Sequence, residues 1–231
     1  MKRDTFLSID IDYWNHLPYP NCVGGMVRYL NELAHLCKEQ RIKLTCVMNH
    51  QQMLPKVNAS KARKLVNLDT HSDMADPSVE CLDCGSWVGF VSWRREGHFH
   101  WIHAEAMDIG ECSGNVRGVP MFRAPGPAYS SNTDWEKITH ARKLAPPNLK
   151  QLLPSVREVC VCSSPDFAEK DLYRMFMVWK KEHNIPYTKG RRDEGYGCEQ
   201  TPPYSSVFLQ NYAYNPSISQ FVRSRAESFA L

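Results

Sequence analysis

Asp10 and Asp12 stand two residues apart at the end of an apolar run, and Asp69, His71 and Asp73 repeat that pattern after a second run, Lys64-Leu65-Val66-Asn67-Leu68. His50 follows a third such run, which ends at Met48. Carboxylates and imidazoles are side chains that hold divalent cations, and four of one with two of the other exceed what a single tetrahedral zinc uses. Residues two apart in a strand face the same side, so extended D-x-D and D-x-H-x-D segments would each present their donors together. Carboxylates gathered in a half-buried place repel one another, a cost that a bound cation removes. The pattern predicts a centre for two divalent ions held by Asp10, Asp12, His50, Asp69, His71 and Asp73, and hydrolysis by water that such ions acidify.

These donors need strands to aim them. Alternating or β-rich apolar runs predict strands over 5–11, 43–48, 64–68 and 158–162, with further apolar segments over 87–93 and 99–102. Met26, Leu30, Leu33 and Leu36 recur at helical spacing over 24–39, as do Leu172, Phe176 and Trp179 over 169–183, where Asp166 is placed to cap. A short helix is expected over 51–61, interrupted by Pro55, and a closing helix over 217–229. Residues 107–148, rich in Gly and Pro, read as long loops around one strand near 119–122. Strand and helix alternate, which predicts an α/β fold: one domain over 1–231 with a mainly parallel sheet flanked by helices. Parallel sheets of this kind bind ligands at the carboxyl ends of their strands, where all three donor clusters would meet.

The bulk numbers are those of an ordinary globular chain. It has 231 residues, 42% apolar and 23% charged, with a net charge of +3 that marks no nucleic-acid footprint. No apolar run approaches the ~20 residues that span a bilayer, and carboxylates interrupt the N-terminal segment, so no signal peptide is expected there. Nine cysteines include one C-x-x-C, Cys81 and Cys84, but no second pair to complete a zinc ribbon. They read as reduced thiols of a cytoplasmic protein. Nothing in the sequence indicates a homo-oligomer.

The motif order, S-I-D-I-D at 8–12, N-H-Q-Q-M-L-P at 49–55, N-L-D-T-H-S-D at 67–73 and S-S-P-D-F at 163–167, resembles the peptide arginases of the arginase (ureohydrolase) superfamily. In ordinary arginases S-x-D-x-D follows D-x-H-x-D, whereas here it comes first. The likeness covers about residues 5–105 and 157–182. It implies a three-layer arginase-like fold and two Mn2+ per chain, Asp10 and Asp69 bridging both, His50 and Asp73 completing one, and His71 and Asp12 the other. It also implies a hydrolase acting on C–N bonds of linear amidines, turning arginine residues of a precursor peptide into ornithine residues and urea.

The resemblance leaves two roles to be filled. Ordinary arginases carry a G-N-L-H-G stretch with a proton-shuttle histidine, and at the matching distance this chain has Cys84-Gly85-Ser86-Trp87. His103 is the first replacement to consider, then His100 and His98. A carboxylate must grip the guanidinium, and Asp166 has the right place after a strand, with Asp83 second and Trp87 as an apolar wall. The missing stretch also argues for a peptidyl substrate over free arginine, with the aromatic, Pro-rich segments 117–129 and 196–214 as its groove. The competing readings are a ureohydrolase for free arginine, agmatine or another small guanidine, and a non-catalytic metal-binding interaction module. A deacetylase-like hydrolase uses one zinc and fewer ligands, so the six-donor set argues against it.

Overall fold

The computed structural model describes residues 2–17, 22–74, 85, 87–104 and 135–190. Among these, seven strands form one sheet: β1 (Thr5–Asp10), β2 (Lys43–Val47), β3 (Lys64–Leu68), β4 (His98–His103), β5 (Lys137–Arg142), β6 (Val156–Cys162) and β7 (Tyr187–Thr188). Their order is β5-β4-β3-β1-β6-β2-β7 and every pair is parallel, so each connection must cross the sheet. All six residues of β1 are buried, as expected of a central strand covered on both faces.

Helices supply that cover. α1 (Val23–Glu39), α3 (Leu149–Leu152) and α4 (Lys170–Glu182) share an apolar cluster with Leu7, Ile9, Val159 and Val161. The opposite face carries Phe6, Leu65, Phe99 and Cys160 under Val57 of α2 (Leu54–Ala59) and under Trp87, Val88 and Val91. α1 buries Met26, Leu30, Leu33 and Cys37, one stripe at three- and four-residue spacing. Both long helices end in the same way. Arg41 and Asn184 take left-handed φ values of 54° and 52°, and the next residues, Ile42 and Ile185, donate back to Cys37 and Lys180 at 2.8 and 3.1 Å. The chain is thereby turned into β2 and towards β7 within two to five residues. At the start of β4, Gly97 fills a place where a Cβ would lie 2.5 Å from the Trp93 ring, so the two tryptophans Trp93 and Trp135 close over bare backbone.

Three expectations need correction. β5 lies inside the stretch read as loop: its sequence, Lys-Ile-Thr-His-Ala-Arg, is half-exposed at the sheet edge and has no apolar alternation to betray it. β7, two residues at the other edge, is too short to leave a pattern. Asp166 caps nothing, because α4 starts at Lys170 with Glu169 as its N-cap and no side-chain bond there. The strand expected near 119–122 and the helix expected over 217–229 lie outside the described residues. Among the described residues no helix is long and apolar enough to cross a membrane.

Candidate metal centre

The chain leaves β1 towards β2 on one side, across α1, and returns through α2 to β3 on the other side. Such a reversal opens a crevice beyond the carboxyl end of the strand at which it happens. Asp10 is the last residue of β1, Asp69 the first after β3, and His50 the third after β2. All three expected clusters therefore meet at one place.

The strand geometry that was to aim them does not persist. β1 ends at Asp10, and Ile11–His16 is a 3-10 helix; residues 69–73 form a bend in which Asp73 takes a φ of 54°. The cause is the same in both motifs. Asp10 Oδ1 accepts the Asp12 N–H at 2.9 Å, and Asp69 Oδ1 accepts the His71 N–H at 2.8 Å. A carboxylate bonded to the amide two residues on competes with the extended backbone and folds it into a turn. D-x-D and D-x-H-x-D thus act as paired turns, and it is the turns that bring the donors together.

His50 Nδ1 lies 2.6 Å from Asp73 Oδ2 and 3.2 Å from both Asp10 Oδ2 and Asp69 Oδ2. His71 Nδ1 lies 3.2 Å from Asp12 Oδ2 and 3.8 Å from Asp69 Oδ1. Asp69 therefore turns one oxygen to each imidazole. Ligand atoms of Asp12, Asp69 and His71, of His50, Asp69 and Asp73, and of Asp10, His50 and Cys162 form three groups, each within 4.8 Å. His71 has 29% of its side chain exposed, against 4% or less for the other five, so the cluster opens to solvent on that side.

Hydrogen bonds fix the carboxylates from behind. The Trp87 indole donates to Asp73 Oδ2 at 2.6 Å, Asn67 Nδ2 to Asp69 Oδ2 at 3.1 Å, and Ser164 Oγ to Asp10 Oδ2. The Trp101 indole holds the Asp69 carbonyl at 3.0 Å, and Thr70 donates its N–H to Asp12 Oδ1 at 3.4 Å. Metal sites are built this way, since outer partners set the orientation of the ligands.

Electrostatics shows what the pocket lacks. Burial, then repulsion from Asp12, pushes Asp10 up to about 7. Burial and the charges of Asp73, Asp12 and Asp10 push Asp69 well above the carboxylate range. Burial alone would lower His50, but Asp73 and Asp10 outweigh it and hold the imidazole up to about 9. His71 is likewise raised against its burial, chiefly by Asp12. Each shift reports the same deficit of positive charge. Four carboxylates against at most two imidazolium charges suit a divalent cation, and a donor set of oxygens with two imidazoles is one that such ions accept. The buried Asp/His cluster can hold metal.

The remaining candidates fall in different places. β4 alternates, so His103 shares a face with Trp101 and Phe99, whereas His100 lies on the opposite face with its Nδ1 2.6 Å from Thr139 Oγ1. His103 is buried and stacks on Trp101 and His140 at 4.3 and 5.7 Å; burial, with the charges of His140 and Arg142, pushes it down to about 4. A histidine so held is neutral near pH 7, which favours a hydrogen-bonding imidazole over a proton donor. Trp87 is fully buried on Asp73 and His50 and offers no wall to a ligand. Asp166 is exposed beside Phe167, whose ring meets His71 edge-on at 5.9 Å. Asp83 lies outside the described residues, as do the segments 117–129 and 196–214. Sequence reasoning missed Ser164, Asn67 and Cys162 at the cluster. Ser164 had a signal in S-S-P-D-F, but polar residues within apolar strands are the commoner clue, and Asn67 and Ser8 both show it. Comparison of the chain with protein-family models, curated proteins and solved structures returns no match.

Proposed function

We propose that the chain is a manganese-dependent hydrolase that converts arginine residues of a peptide into ornithine residues and urea. The observation that supports this most is Asp69, one buried carboxylate with an oxygen towards each of two imidazoles, in a pocket whose other carboxylates divide between the same two sides. Two ions sharing Asp69 fit that division, with His50 and Asp73 on one side and His71 and Asp12 on the other; Asp10, expected to bridge as well, lies beside His50. The order of the motifs supports the peptide-arginase branch.

A bound ion pair would polarise water and bring its deprotonation towards neutral pH. The residues do the rest. Trp87 and Asn67 hold Asp73 and Asp69 in place, so the carboxylates meet a cation without reorganising. His71 marks the side from which a substrate reaches the centre. Phe167 stands there, its carbonyl tied by Asn15 Nδ2 at 2.9 Å. Asp166, exposed and next in sequence to Phe167, is the carboxylate assigned to pair with a planar guanidinium.

The test is mass spectrometry of arginine-containing peptides incubated with the protein and Mn2+. The expected result is loss of a carbodiimide mass at arginine, abolished by chelation. Faster turnover of free arginine or agmatine than of every blocked or peptidyl arginine refutes the peptide assignment. Metal uptake with no turnover of any guanidine refutes the enzyme.

A further inference from the structure

Resting on the metal-centre reading above, we propose that Cys162 is a sulfur ligand, so that the position between Asp10 and His50 takes thiophilic divalent ions such as zinc or cobalt as well as manganese. Cys162 ends β6 and is in register with Asp10 at the end of β1. Neighbours in register on parallel strands point to the same face, and His50 comes down on that face after β2. The Sγ, a carboxylate oxygen of Asp10 and an imidazole nitrogen of His50 all lie within 4.8 Å of one another. A thiol, a carboxylate and an imidazole from three separate strand ends thus form one set of ligand types. Cys160, two residues back on the same face, is buried in the same apolar cluster as Cys162, but only Cys162 falls in a group with Asp10 and His50.

The thiol already makes polar contacts at the site. Its Sγ donates to the Met48 carbonyl at 3.4 Å and lies 3.2 Å from Ser164 Oγ, which itself bonds Asp10. On metal binding the S–H bond breaks, the proton leaves to solvent, and the sulfur lone pair forms the bond to the ion. The Met48 hydrogen bond is given up, while Ser164 keeps its own hydrogen bond to Asp10. The two halves of the centre then differ in softness. Asp12, Asp69 and His71 offer two carboxylates and an imidazole, a set for manganese, whereas the Asp10–His50 side adds sulfur, which selects softer ions.

X-ray absorption of the zinc-loaded wild-type protein decides this without a variant. The expected spectrum contains a sulfur shell at about 2.3 Å besides nitrogen and oxygen at about 2.0–2.1 Å. Cobalt gives the second readout, a near-ultraviolet thiolate-to-cobalt band. That band should persist in Cys160→Ser and in the double variant Cys81→Ser, Cys84→Ser, and vanish in Cys162→Ser. Zinc or cobalt bound through nitrogen and oxygen alone overturns the sulfur ligand and leaves the metal centre standing. A band that follows Cys81 and Cys84 also overturns it. A protein that retains no metal after desalting overturns both.

Discussion

Asp69→Asn and Asp12→Asn should differ in a way that only a shared carboxylate produces. Asp69 faces both imidazoles, at 3.2 and 3.8 Å, whereas Asp12 lies 3.2 Å from the His71 imidazole. An ion present at about 100 times its Kd stabilises the folded state by about 2.7 kcal/mol, so two independent ions contribute about 5 kcal/mol. In a chain of this size each kcal/mol moves Tm by about 2–4 °C. Mn2+ should therefore raise the wild-type Tm by about 10–20 °C, raise that of Asp12→Asn by about half as much, and leave Asp69→Asn unmoved. The substitution itself is mild. The His71 N–H still finds an amide oxygen; Asn67 loses its acceptor, at about 1 kcal/mol. Removal of a buried negative charge from among Asp10, Asp12 and Asp73 offsets that loss. Metal-free Asp69→Asn should melt within a few degrees of wild type. The assay is thermal unfolding after chelation and again across a Mn2+ titration, with ions per chain counted by mass spectrometry after desalting. A metal-dependent rise retained by Asp69→Asn, or an equal loss in Asp12→Asn, would refute the reasoning.

Protonation in the metal-free protein sets a pH dependence. His50 keeps its proton up to about pH 9 in the folded metal-free protein against 6.5 ordinarily, so folding binds a proton between those values. Metal-free stability should fall as pH rises from 7 to 9, by at most about 1.4 kcal/mol per pH unit for each such group. Metal-loaded protein should gain stability over the same range, because ligation releases those protons; parallel melting curves at fixed Mn2+ check this, and a flat metal-free profile contradicts it. Trp87→Phe keeps the ring but removes the N–H on Asp73 and should weaken metal binding about 10–100-fold by equilibrium dialysis. His103→Gln should leave turnover within about tenfold of wild type; a loss on the order of 10²–10⁴ would return the role of general acid to His103. Leu33→Ala, in the buried stripe of α1, should cost about 2–5 kcal/mol in denaturant unfolding while the ion count per chain stays unchanged.

The residues most readily read from sequence were those under two constraints at once. β3 was legible over 64–68 because an apolar strand runs into ligands, and α1 because Met26, Leu30 and Leu33 must face the sheet. The edge strands escaped because one side of each meets solvent, which leaves the sequence almost unrestricted there. At the centre, donor types and their convergence were legible, but the mechanism of convergence was not. A strand period and an i to i+2 side-chain bond both favour alternate residues, so D-x-D fits either; only the Asp12 and His71 amides, turned onto Asp10 and Asp69, distinguish them. His103 and His100 illustrate the other limit. Two residues three apart on one strand lie on opposite faces, and no motif says which face carries the site.

β6 (Val156–Cys162) is laid between β1 (Thr5–Asp10) and β2 (Lys43–Val47), although it follows both by more than a hundred residues. A ribosome adding about 5–20 residues per second leaves that slot open for roughly 5–20 s after both flanking strands have emerged. Throughout that interval β1 and β2 have unpaired inner edges, the kind of surface that recruits foreign strands. Asp10 also lacks Ser164 until the end, a contact that spans 154 residues. The nascent chain therefore has most of its acidic donors in place before it has the strand that closes their pocket. Synthesis in a cell depleted of strand-shielding chaperones should show its damage as aggregation of chains stalled before Val156, not of chains released after Cys162.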